Sequence, residues 1–288
     1  MKTKGFIYAI VSAVLFGSAG IFVKEGYSNN FSPVDLLMLQ YIIAGVILFI
    51  ICLLKYRESL KLNKSLFKKL FIQGAIFNTL MTVFFYTSFK YLNAAEATLL
   101  LYTYPSMVAI YSSVFKRVRI GYKKIISIIF AFVGSILVLN LFNIELTYDI
   151  YKGIIYGLLS AVFYSAMNIY AEEIVEDVNE LVITFYTTLF SLIVLLVFNH
   201  NFIFKLPYVD VVSINNALNL ALFCEIIPLT LLYAAIKHIG PVNTSIISTL
   251  EIPSSAVLGF IFLNEVLKPI QIIGIVIVVM SIIYLKRS

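Results

Sequence analysis

Long apolar stretches separated by short polar breaks run the length of the chain. Ten can be drawn, at about 5–23, 34–54, 70–89, 95–115, 124–142, 154–171, 181–198, 216–236, 242–263 and 269–285. A helix rises about 1.5 Å per residue, so runs of roughly 18 to 20 apolar residues reach across a ~30 Å hydrocarbon core. The pattern predicts an all-α membrane protein of ten transmembrane helices. The loops between them are too short for a soluble catalytic domain, so the function must live inside the bundle.

The first run opens as a secretory leader would, with Lys2 and Lys4, an apolar stretch from Gly5 to Phe16, and Gly17-Ser18-Ala19 near a cleavage-site pattern. A second copy argues against that. GFIYAIVSAVLFGSAG (5–20) is echoed by GIIYGLLSAVFYSAMN (153–168), where Gly5, Ile7, Tyr8, Ser12, Ala13 and Val14 recur 148 positions on. Small residues fall at every fourth place, at Gly5, Ala9, Ala13 and Gly17 and again at Gly153, Gly157, Ala161 and Ser165. That spacing stacks them on one helix face, where backbones of membrane helices approach closely. A leader has no use for a packing face, so this segment is expected to stay as helix one.

The similarity continues beyond one helix. FFYTSFKYLNAAEATLL (84–100) matches LLYAAIKHIGPVNTSII (231–247), with Tyr86 and Lys90 repeated as Tyr233 and Lys237. Each half then holds five crossings, and an odd number sends the second half into the membrane in the opposite sense. Such inverted repeats are typical of secondary transporters, whose sites lie near the midplane between the halves. The expected division is a first repeat at 1–142, a short connector at 143–152 and a second repeat at 153–288.

Composition agrees with the pattern: 61% of residues are apolar and 12% charged, with a mean hydropathy of +0.99. A soluble domain carries about 25% charged residues. The net charge of +6 would suit nucleic acid, but its distribution points elsewhere. With the N-terminus cytoplasmic, only Lys24, Lys90, Lys152, Lys205 and Lys268 of the 21 basic residues fall outside. This is the positive-inside bias, and it predicts a multi-pass plasma-membrane protein with both termini cytoplasmic and no nucleic-acid partner. Cys52 and Cys224 lie within apolar runs and read as small buried hydrophobes. No cofactor or metal is expected. The acidic stretch EEIVEDVNE (172–180) reads as a solvated hinge.

The two amino-terminal repeats, with FYTSFKYLNAAEATLLLYTYP in the first half and LLYAAIKHIGPVNTSIISTLEIPSSAVLGFIFLNE in the second, resemble the EamA family of the drug/metabolite transporter superfamily. The resemblance covers essentially the whole chain. It implies two inverted five-helix repeats, with the first four helices of each half lining a central cavity and the fifth peripheral. It also implies transport of amino acids, purines, sugars, other metabolites or drugs, commonly outward in bacteria. Two departures stand out. Ile252 separates Glu251 from Pro253, and the fourth helix ends in Phe115-Lys116-Arg117-Val118-Arg119 where the family has a Gly-Glu pair like Asn264-Glu265.

Ionisable groups at membrane depth cost at least about 2.5 kcal/mol each and usually face protein or water. Glu225 sits mid-way along the eighth run and Glu251 along the ninth. Thr244, Ser248, Glu251 and Ser255 share one helix face, and Tyr233 lies on the face of Glu225. Asn78, 147 positions before Glu225, forms a stripe with Thr82 and Tyr86, and Ser160, Tyr164 and Asn168 form another. The candidate substrate-binding residues are therefore Asn78, Thr82, Tyr86, Tyr102, Tyr164, Asn168, Glu225, Tyr233, Ser248 and Glu251, with Glu225 and Glu251 as proton-coupling candidates. For the hydroxyl and amide groups the competing reading is interhelical glue. For the acids it is a protonated carboxyl bonded to a neighbouring helix. Pro105, Pro228 and Pro253 are expected to disturb their helices.

The function expected is that of a permease working by alternating access, in the exporting direction. Its partners would be the bilayer, protons, and a small substrate such as an amino acid, an amine or a neutral metabolite. An intramembrane enzyme or a channel is the alternative. His-Glu-x-x-His is absent, His200 and His238 lie near helix ends, and no pore-lining ring can be read.

Overall fold

The structure, a computed structural model, describes residues 2–19, 21–22, 33–88, 90–92, 94–140 and 148–286, and every regular element among them is helical. The labelled helices are α1 (Lys2–Gly17), α2 (Pro33–Lys55), α3 (Lys64–Ser88), α4 (Ala94–Leu101), α5 (Tyr104–Val114), α6 (Tyr122–Leu139), α7 (Tyr148–Ala171), α8 (Glu180–Phe198), α9 (Val211–Ser248), α10 (Glu251–Phe262) and α11 (Pro269–Lys286). Gly20 and Lys24, used in the sequence reading, and residues 143–147 of the expected connector at 143–152 lie outside the described residues.

Among the described residues seven helices are long and apolar enough to cross a membrane: α2, α3, α6, α7, α8, α9 and α11. The predicted runs differ from these in three places. α1 holds 16 residues. The fourth run is split into α4 and α5, because Pro105 has no N–H to continue the ladder and instead occupies the first turn of a new helix. The eighth and ninth runs are joined in α9, which bends at Gly240 (φ 77, ψ 164), a conformation open to glycine and followed by Pro241. The ninth run then finishes as α10, with Pro253 in its first turns.

The small-residue faces pack as their spacing requires. Gly5, Ala9, Ala13 and Gly17 are all buried, and α1 lies on α9 and α10. A Cβ on Gly5 would sit 2.7 Å from the His238 Cβ, and one on Gly17 would sit 2.8 Å from the Glu251 carbonyl oxygen. In the second copy α7 lies on α3, α4 and α5, with Gly153 against Leu92 and Gly157 against Leu100. The remaining principal contacts pair α2 with α8 and α6 with α11. Large apolar side chains such as Leu54, Phe198 and Val114 point outward, as a lipid-facing surface demands.

The acidic stretch at 172–180 is solvated along its acids, with Glu173, Glu176 and Asp177 exposed, while Ile174, Val175 and Val178 are buried in the main core. Three of its five acids meet bases brought from distant helices: Lys116 pairs with Glu172 at 2.5 Å, Lys69 with Asp177 at 3.4 Å and Lys237 with Glu180 at 2.9 Å. At another loop Lys205 pairs at 2.5 Å with Asp35, a carboxylate buried in the first turn of α2. Charge is thus neutralised between segments far apart in sequence, which no periodicity reveals.

The unusual end of the fourth run has a structural equivalent. Arg117 and Asn264, 147 positions apart, both take φ 54. Each is followed by the same backbone closure, Val118 N to Ser112 O at 3.0 Å and Glu265 N to Gly259 O at 3.2 Å. These are left-handed helix stops of the kind usually given to glycine. The repeat is kept in backbone geometry where the side chains diverge.

Candidate functional site

A cavity of about 190 Å³ lies among α1, α2, α3, α7, α9 and the start of α10. It is smaller than the ~300–1,000 Å³ typical of pockets for drug-sized ligands. Its polar lining includes Asn78, Thr82 and Tyr86 from α3, Tyr164 from α7, Glu225 from α9 and Glu251 from α10. Leu36, Met81, Met167 and Leu229 supply apolar wall. Among the described residues no Lys or Arg lines it.

Glu225 is presented by a π-helical segment, Leu222–Ile226, just ahead of Pro228. Pro228 cannot donate a backbone hydrogen bond, so a local widening of the helix at this point is the irregularity expected from the sequence. The Thr188 hydroxyl of α8 donates to Glu225 Oε1 at 2.6 Å. Ser12 of α1 donates to the Pro228 carbonyl at 2.7 Å and ties α1 to the same region. Glu251 stands in the first turn of α10, where the helix dipole favours a carboxylate. The Tyr102 hydroxyl lies within hydrogen-bonding reach of that carboxyl.

Asn78 closes a second π-helical segment, Ile72–Asn78. Its Nδ2 donates to the Tyr41 hydroxyl at 3.2 Å and to Ser191 Oγ at 2.9 Å. Ser191 and Thr79 in turn donate to the Gly74 carbonyl at 2.8 and 2.9 Å, satisfying an acceptor within the widened turn.

Six of the ten sequence candidates, Asn78, Thr82, Tyr86, Tyr164, Glu225 and Glu251, are therefore brought to one cavity. The other four stand behind it. Tyr102 is buried beside Glu251. Asn168 donates to the Tyr164 carbonyl at 2.9 Å, while its buried Oδ1 has no partner among the described residues. Tyr233 accepts from Gln73 Nε2 at 3.2 Å and bonds Thr187 at 3.2 Å. Ser248 donates to the Thr244 carbonyl at 3.0 Å, one turn back along its own helix.

Sequence reasoning missed Gln40 and Tyr41 of α2 and Cys224 of α9, which also line the cavity. It also missed Thr188 and Ser191. Their signal was present, since Thr184, Thr188 and Ser191 repeat at helical spacing along α8.

Helices of membrane-crossing length around a cavity with polar and apolar walls define a multi-pass membrane protein. The EamA-like transporter family model matches residues 3–140 and again 151–286, and the chain belongs to that family. It is a membrane transporter. A relative from Haemophilus influenzae, described as an uncharacterized transporter, is 27% identical over 290 residues, covering 96% of this chain and 95% of its own. A solved crystal structure shares the fold with a TM-score of 0.82 at 12% identity, covering 100% of this chain and 98% of that one.

Proposed function

We propose that the chain crosses the plasma membrane ten times, as two inverted repeats at 1–142 and 153–288 joined by 143–152, with both termini cytoplasmic. In that count α1, the α4–α5 pair and the α9 bend with α10 supply the crossings beyond the uninterrupted rods. The reciprocal packing supports this arrangement. α1 lies on α9 and α10 of the other half, while its sequence counterpart α7 lies on α3, α4 and α5.

The cavity binds and exports a small amine, amino acid or neutral metabolite by alternating access. The observation that carries this reading is the placement of Glu225 and Glu251 on one cavity that no Lys or Arg among the described residues lines. Such a site favours cationic, zwitterionic or neutral substrates over phosphates and sulfates, which call for Lys or Arg. Asn78, Thr82, Tyr86 and Tyr164 contact the substrate, whereas Tyr102, Asn168, Tyr233 and Ser248 hold the walls. Glu225 and Glu251 exchange protons as their exposure changes through the cycle, coupling flux to the proton gradient.

Phe16 and Ala19 near the end of α1, Leu36 and Gln40 at the start of α2, and Tyr86 near the end of α3 place the cavity toward one face of the bundle. The ion pairs of the acidic stretch close the other face. With cytoplasmic termini this conformation faces outward. A proteoliposome screen against amino acids, amines and neutral metabolites, with and without a pH gradient, tests the reading. Gradient-driven movement of one such compound is expected; no movement of any of them would overturn it.

A further inference from the structure

A second pocket, of about 550 Å³, lies where α1 and α6 begin, α9 bends and α11 ends. Lys2, Lys123, Lys124 and Lys286 line it together with His238, and among the described residues no acid does. Two acids of the 172–180 stretch are engaged elsewhere, Glu172 with Lys116 and Glu180 with Lys237. The His238 ring is held in place by stacking on Tyr8 at 5.8 Å.

A fold that gathers like charges on one concave surface is complementary to an anion. The surroundings specify what kind. Ile7, Val11 and Val14 on α1, and Ile125 and Ile129 on α6, expose apolar faces that lead from the pocket along the bundle. Basic pockets between helices on the cytoplasmic side are suited to anionic lipid headgroups.

We propose that this pocket holds the phosphate headgroup of an anionic phospholipid of the cytoplasmic leaflet, with its acyl chains along α1 and α6. The proposal rests on the membrane reading and on cytoplasmic termini, not on transport. Free inorganic phosphate shares the headgroup chemistry but has no use for the apolar faces.

The test uses the full chain in neutral detergent, with melting temperature and lipid retention in native mass spectrometry as readouts. Phosphatidylglycerol should raise the melting temperature and stay bound, whereas phosphatidylcholine and millimolar inorganic phosphate should do neither. The double variant Lys124→Gln/Lys286→Gln should bind phosphatidylglycerol about thirtyfold more weakly, at about fivefold per lysine. Lys124→Arg/Lys286→Arg should keep binding. Lys286→Gln alone, at an exposed helix end, should show the fivefold loss even where the double variant does not fold. Equal protection by inorganic phosphate would make this a soluble-anion site, and unchanged lipid binding in the Gln variants would remove the pocket from lipid recognition. Either outcome overturns the proposal.

Discussion

Asn78 and Glu225 stand 147 positions apart, each within a π-helical segment, and both reach the same cavity. Both are also held by one helix: Ser191 and Thr188 of α8, a turn apart, bond Asn78 and Glu225 respectively. A π turn carries one residue more than the α ladder accommodates, which redirects the side chains around it. The repeat has thus kept the backbone irregularity and changed its chemistry, with an amide in one half and a carboxyl in the other. That asymmetry gives the cavity a direction in which charge can be read.

The Thr188–Glu225 bond gives the first prediction. Thr188→Val leaves a buried carboxyl oxygen without its donor and should cost about 1–3 kcal/mol of stability. Glu225→Gln keeps an acceptor for Thr188, so the variant should fold with a melting temperature near that of the wild type. Its substrate flux should no longer follow an imposed pH gradient. Unchanged gradient dependence in proteoliposomes would end the role proposed for Glu225 in coupling.

The ion pairs of the acidic stretch give the second. The Lys116–Glu172 pair joins the end of the fourth run to the turn between α7 and α8 and is partly exposed, so either single substitution should cost less than about 1 kcal/mol. The effect on the cycle should be larger than the effect on folding. Lys116→Glu and Glu172→Lys should each change the transport rate severalfold, and the swapped double variant should recover toward the wild-type rate. Equal rates in all four proteins would leave the pair without a part in the cycle.

These two cases separate what the sequence carried from what it did not. The apolar runs, the packing faces of α1 and α7, and the polar stripe of Asn78, Thr82 and Tyr86 were legible, because helical periodicity is a property of a single segment. The Thr188–Glu225 bond and the partners of Glu172, Asp177 and Glu180 were not, because each depends on which helices become neighbours. Pro105 told that a helix would be interrupted, yet not that the fourth run would become two separate helices. Tyr102, Tyr233 and Ser248 show the limit of reading polar residues as a site, for their bonding partners turn them into the wall.

Arg117 supports a third prediction. An L-residue with a side chain pays roughly 1–2 kcal/mol to occupy the left-handed region, and Arg117 does so at φ 54. Replacing it by glycine should therefore raise stability, by about 1 kcal/mol once the added freedom of the unfolded chain is set against the relief. Thermal unfolding in detergent measures it. A destabilised Arg117→Gly protein would mean that the arginine side chain does more at this helix stop than its backbone strain costs.

The contact between α6 and α11 allows the last prediction to be built with its own control. A Cβ on Gly274 would fall 2.7 Å from the Gly134 carbonyl oxygen and 2.7 Å from the Val138 nitrogen. Both are backbone atoms of α6, so neither can move without parting the two helices. Gly274→Val should cost at least the ~1–3 kcal/mol of an overpacked core. Gly45, by contrast, has nothing within 4 Å of its Cβ position, and Gly45→Ala should be neutral or stabilise α2 by up to about 1 kcal/mol through helix propensity. Neither residue lines the cavity, so any Gly274→Val protein that does fold should bind substrate with normal affinity. A Gly274→Val protein as stable as Gly45→Ala would show that α6 and α11 do not meet backbone to backbone.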